Sequence, residues 1–97
     1  METSDIEWRG CDAFPRYEID RIGRFRIKDT NRILKFDCDQ SGYHAVNMRV
    51  NKKRLHKRTP RLVATAWLGP APIGFQVNHK DGNKKNDDIL NLEWVSK

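Results

Sequence analysis

The sequence predicts an α+β fold, with small antiparallel sheets and one clear helix followed by a β-hairpin. Three observations carry this reading. Short apolar runs alternate with turn residues through the first fifty positions, the pattern of brief strands. The helix signal is confined to one stretch, "TPRLVATAWLG" at residues 59–69. Finally, "FQVNHKDGNKKNDDILNLEWV" sets two β-like runs on either side of an Asp81-Gly82 pair, a favoured tight-turn combination. Ninety-seven residues make one small domain with a modest core.

The elements follow in chain order. "RYEIDRIGRFRI" places Gly23 between two short runs and reads as strand, turn, strand. "RILKF" continues the pattern. "GYHAVNMRV" alternates, with Val46, Met48 and Val50 on one face and Asn47 and Arg49 on the other, as in a half-buried strand. "NKKRLHKR" reads as a basic connection. A helix is expected over 60–68: Thr59 can N-cap it, Pro60 suits its first turn, and Leu62, Val63, Ala66 and Trp67 share a face. Gly69 and Pro70 stop it. "PAPIG" is a loop, and the hairpin is expected over 75–95. Trp8, Trp67 and Trp94 lie in apolar contexts and are expected in the core, and His44 at the surface.

Composition excludes several classes. Charged residues are 33% and hydrophobic residues 37%, which suits a globular chain. No apolar run approaches the ~18 residues of a membrane span, and no secretory leader pattern is present, so a cytoplasmic protein is expected. Cys11 and Cys38 follow no metal-ligand spacing and read as two reduced thiols.

The net charge of +6 is unevenly placed. Residues 1–20, with Glu2, Asp5, Glu7, Asp12, Glu18 and Asp20, are net −4. Residues 21–60 hold twelve basic and three acidic residues, net +9, and residues 61–97 are net +1. A central basic block attracts phosphate polymers. Arg24, Arg26, Arg32, Lys35, Lys52, Lys53, Arg54, Lys57 and Arg58 are the candidate DNA contacts, more suited to phosphate than to base edges; a solvated face is the plainer alternative.

The hairpin carries the chemistry. A strand ending in His79 can present an imidazole, the natural general base near neutral pH. The side-chain oxygen of Asn78 suits a hard divalent cation. Asp81, Asn83, Asn86, Asp87, Asp88 and Asn91 add oxygen groups, though turn formation alone accounts for most of them.

"VNHKDGNKKNDDILNLEWVS" resembles the core of the HNH endonucleases, the ββα-metal nucleases found in phages and group I introns. The matching positions are Asn78, His79, Asp81, Gly82, Asn83, Asn86, Asn91, Leu92, Trp94 and Val95. Upstream, "RLVATAWLG" is similar to the family's helix before the hairpin. "IEWRGCDAFPRYEIDRIGRFRIKDTNRILK" resembles the NUMOD-type module of homing enzymes through Trp8, Tyr17, Glu18, Ile19, Gly23 and Arg24. The resemblance implies a NUMOD-like, β-rich DNA-binding module at 1–50 and an HNH-like region at 51–97.

It also implies roles. His79 would activate the attacking water, Asn91 would orient the imidazole or hold the hairpin loop, and Asn78 would take the first metal-ligand position. The metal would be Mg²⁺ or Mn²⁺, weakly held, because Asn78 is neutral where relatives often carry aspartate. In the family a further helix after Trp-Val supplies the last ligand. This sequence stops at Lys97, so the motif's two strands are expected without that helix. The function implied is metal-dependent nicking of duplex DNA by a phage protein in a bacterial cytoplasm. The alternative is a non-catalytic phage module that keeps the fold and binds DNA or a host protein.

Overall fold

The computed structural model describes residues 6–11 and 13–96; Glu2, Asp5 and Asp12 of the acidic stretch lie outside them. Three antiparallel sheets and one helix surround a shared core. The first sheet is a meander of β1 (Trp8–Gly10), β2 (Tyr17–Asp20), β3 (Phe25–Ile27) and β4 (Arg32–Ile33), in that order. Its β2–β3 turn is built by Asp20. That buried carboxylate accepts from the Ile22 N–H at 3.2 Å, the Arg24 N–H at 2.7 Å and the Arg24 guanidinium at 2.5 Å. Gly23 supplies the left-handed residue of the turn, with φ 92°.

The second sheet orders β5 (Asp37–Cys38), β6 (His44–Val50) and β7 (Lys53–Arg58). The segment expected as a basic connection is therefore mostly strand. Asn51 and Lys52 both have positive φ, 51° and 66°, which is the signature of a two-residue hairpin turn. The turn sets Val50 opposite Lys53, and pairing runs on to Ala45 opposite Arg58. Lys53–Arg58 contains a single apolar residue, Leu55, so no alternation announced it. The border expected at residues 50/51 falls at this turn, between two paired strands of one sheet.

Helix α1 (Thr59–Leu68) follows directly. Its N-cap is Arg58, with no side-chain capping bond. Thr59 does not cap: it is the first helical residue, fully buried, with its hydroxyl engaged in tertiary contacts. The buried helix positions are Thr59, Pro60, Val63 and Ala64, while Leu62, Ala66 and Trp67 pack at the margin of the core. β8 (Phe75–His79) and β9 (Leu92–Ser96) make the third sheet, in register from Phe75 opposite Ser96 to His79 opposite Leu92.

The core draws Tyr17, Ile19 and Phe25 from the first sheet, Val46 and Met48 from the second, Val63 and Ala64 from the helix, and Leu92 from the third. Two tryptophans tie the sheets and helix together. The Trp67 indole N–H donates to the Ile19 carbonyl, and that of Trp94 to the Gly69 carbonyl, each at 3.2 Å. Trp8 departs from the core expectation. It is half-buried under the guanidinium groups of Arg26 at 4.2 Å and Arg24 at 5.8 Å, an arrangement stabilised by the ring quadrupole. His44 is half-buried and stacked on Phe36. Both cysteines are free thiols, Cys11 buried and Cys38 exposed. Among the described residues no helix is long and apolar enough to cross a membrane.

Candidate active site and nucleic-acid interface

β8 ends at His79 because the next residues turn. The Gly82 N–H closes onto the His79 carbonyl at 2.9 Å, and the Lys80 N–H onto the Asn91 carbonyl at 2.8 Å. Asp81 then organises the loop. Its carboxylate accepts from the Asn86 amide at 3.0 Å, the Asn83 N–H at 2.8 Å and the Asn91 amide at 2.9 Å. These donors hold its carboxyl below the ordinary carboxylate range, Asn86 contributing most.

Asn91 closes the same network, accepting from the Asp81 N–H and donating to the Asn86 carbonyl. Of the two roles expected for Asn91, its contacts match loop-holding; none of them reaches the imidazole.

The partner of the imidazole is Asp87. His79 Nε2 lies 2.9 Å from Asp87 Oδ1, and both side chains are almost wholly buried. The second carboxylate oxygen, Oδ2, meets the Thr59 hydroxyl. That hydroxyl also lies 3.3 Å from the His44 carbonyl. Sequence reasoning placed Asp87 among turn formers and Thr59 at a helix cap, and no local signal distinguished them. The contact spans 28 residues of chain.

Asn78, one residue before His79, is exposed, as strand alternation requires. Its amide donates to Glu93 Oε2 at 2.8 Å across the hairpin. The Asn78 side-chain oxygen accepts no hydrogen bond among the described residues. Asn78 and Glu93 thus offer one neutral and one charged oxygen side by side. Such a pair fits Mg²⁺, which keeps several waters and takes one or two carboxylates plus substrate phosphate. No cluster of three or more His, Cys, Asp or Glu able to hold a metal occurs among the described residues.

One expected result follows. Asn78→Asp sets a second carboxylate against Glu93, which destabilises the metal-free hairpin and tightens Mn²⁺ binding by about tenfold, ~1.4 kcal/mol. Calorimetric titration and metal-free melting should move in opposite directions. Unchanged affinity would remove Asn78 from the cation site.

The basic candidates separate into groups. Arg24 is paired with Asp20, and Arg26 with Glu18 at 2.8 Å, both beside Trp8; this internal engagement accounts for their charge. Arg58 is paired with Asp39 at 2.5 Å and lies over Tyr43. Arg32, Lys35, Lys52, Lys53, Arg54 and Lys57 make no ion pair among the described residues.

Three of these, Arg32, Lys35 and Arg54, line a cleft of about 400 Å³ between the first two sheets, together with Arg16 and Arg49. Among the described residues no acidic side chain lines it. Lys52 and Lys53 sit exposed at the β6–β7 turn. Lys57 and Arg58 border a second cleft with Tyr43 and Arg61. Arg49 was readable from the polar face of its strand. Arg16 was hidden in a stretch of net negative charge.

Residues 57–97 match the HNH endonuclease family model HNH_3. An uncharacterized HNH endonuclease, L245 of Acanthamoeba polyphaga mimivirus, is 33% identical over 90 residues, spanning 93% of this chain and 27% of the relative. The DNA endonuclease I-HmuI of Bacillus phage SP01 is 29% identical over 92 residues, 94% of this chain and 53% of the relative. The solved structure of the HNH homing endonuclease I-HmuI, described for DNA binding and cleavage, superposes with a TM-score of 0.84 at 30% identity over 93% of this chain and 52% of that one. The chain spans about half of I-HmuI and about a quarter of the mimivirus relative. Over most of its length the chain is thus similar to the HNH homing endonuclease I-HmuI, and its residues 57–97 match the HNH endonuclease family model.

Proposed function

We propose that this protein is a divalent-metal-dependent DNA endonuclease that nicks duplex DNA, with His79 as general base. The carrying observation is the imidazole fixed at the end of β8, one residue from the Asn78–Glu93 pair. His79 takes a proton from water, the resulting hydroxide attacks phosphorus, and the P–O bond to the leaving sugar oxygen breaks. When bound, a divalent cation supplies charge neutralisation at the scissile phosphate and the leaving oxygen. Asn78, with Glu93 beside it, would hold that cation. Asn91 keeps the loop after His79 in shape.

Residues 1–50, a NUMOD-like module in this reading, hold the duplex through phosphate contacts together with the adjoining strand β7. The acid-free cleft of Arg16, Arg32, Lys35, Arg49 and Arg54 supports that role. A phage protein acting in a bacterial cytoplasm is the setting this function implies.

Supercoiled plasmid incubated with Mg²⁺ or Mn²⁺ tests the function, and open-circle product is the expected result. A second reading is favoured by the absence of a three-ligand metal cluster among the described residues: a non-catalytic module that binds DNA or a host protein. Binding without nicking at any Mn²⁺ concentration would select it.

The cleft makes its own prediction. Each phosphate contact contributes about −0.9 to the slope of log affinity against log salt. Arg54→Ala should lower that slope by about one unit. Arg26→Ala should leave it unchanged, because its guanidinium is committed to Glu18 and Trp8. Fluorescence anisotropy over a salt series separates the two. Equal effects of both substitutions would mean that the cleft is not the phosphate track.

A further inference from the structure

We infer that Asp87 is the positioning residue of the reaction: it holds the His79 imidazole as the tautomer protonated on Nε2, which leaves the Nδ1 lone pair to accept a proton. The inference rests on the reading of His79 as general base and assigns work to residues outside the matched motif positions. An ionised carboxylate only accepts hydrogen bonds. A ring nitrogen 2.9 Å from Asp87 Oδ1 therefore carries the proton. Neutral imidazole has one N–H, so Nδ1 is the basic nitrogen. Nδ1 makes no hydrogen bond among the described residues, where no sealed polar side-chain atom lacks a partner. It is consequently the ring nitrogen open to a reactant.

Asp87 is itself held through its carboxylate and through the backbone around it. Its Oδ2 meets the hydroxyl of Thr59, a fully buried residue at the start of α1. Behind it stands Gly23 of the β2–β3 turn, where an added Cβ would fall 2.8 Å from Asp87 Cβ and 3.3 Å from the Asp87 carbonyl oxygen. Two residues further on, the Ile89 N–H donates to the Arg21 carbonyl at 2.9 Å, which pins the same segment to the same turn. The first sheet thus acts at two places. It presents cations to one cleft, and its β2–β3 turn braces the carboxylate that aims the imidazole.

A merely structural Asp87 would affect stability alone, so the test reads the ring itself. Long-range ¹H–¹⁵N spectra of the full chain, recorded without DNA or metal, report the tautomer directly. The wild type should show protonated Nε2. Asp87→Asn keeps an acceptor for Nε2 and a partner for Thr59, so it should retain that tautomer and nick within about tenfold of wild type. Asp87→Ala should give a tautomer mixture and lower kcat by about 100-fold with KM little changed. Gly23→Ala, which leaves every hydrogen-bonding group in place, should shift the mixture in the same direction.

A wild-type ring protonated on Nδ1, or an Asp87→Ala ring with unchanged tautomer, overturns the inference whatever the nicking result. The predicted tautomers in a protein that never nicks would instead reject the nuclease reading.

Discussion

His79→Ala should abolish nicking while duplex affinity stays within about twofold. General-base catalysis contributes ~10²–10⁴ in rate, and a base acts on the chemical step more than on ground-state binding. The imidazole is buried and faces Asp87 and Tyr43, so it has little surface to offer DNA. Removing it also strands one oxygen of a buried carboxylate, which costs about 1–3 kcal/mol. Melting and circular dichroism must therefore accompany the assay, to separate lost chemistry from lost fold. Plasmid relaxation with Mg²⁺ or Mn²⁺ supplies the rate and anisotropy the affinity. Equal nicking by a folded variant and the wild type would place the base elsewhere.

Phe25→Ala should produce the largest loss of stability. Phe25 is 1% exposed and pairs with Ile19 across the β2–β3 hairpin. Truncating a buried phenylalanine costs about 3–5 kcal/mol, against a total of ~5–15 kcal/mol for a domain of this size. Urea denaturation should show a much lower midpoint with an unchanged slope. Ile73, wholly exposed in the loop after α1, is the control, and Ile73→Ala should change stability by less than ~0.5 kcal/mol. The three sheets and the helix share one core, so a single transition is expected for both chains. A loss below ~1 kcal/mol for Phe25→Ala would mean that the first sheet does not share it.

Strands with alternating apolar residues, such as His44–Val50, and the helix with its Pro60 start and Gly69 stop were legible because their signals are local. β7 was not, since Lys53–Arg58 is almost wholly polar and owes its strand conformation to the Asn51–Lys52 turn and the partner strand. Thr59 looked like a helix cap because capping is the commonest local use of such a residue. Its hydroxyl went instead to a carboxylate 28 residues away.

The site divides in the same manner. His79 and Asn78 could be singled out from the strand end and the hairpin turn. Asp87 sat in a run of Asn and Asp residues that a loop alone explains, and its contact with His79 depends on Gly23 and Thr59, which are distant in sequence. Charge counting found the basic block but could not separate Arg54, which lines a cleft, from Arg26, which is spent on Glu18 and Trp8.

The bracing of Asp87 also has a consequence in time. Polypeptides emerge from the ribosome amino end first, at ~5–20 residues per second. Gly23 and Thr59 are therefore made, and can fold, before Asp87 exists. Sheet β8–β9 has only two strands, and a lone hairpin is marginal in water, so it settles by docking on a surface already formed. A growing chain carries its histidine well before that histidine has an orientation. Orientation of the imidazole therefore waits on the docking of the last hairpin against Gly23 and Thr59.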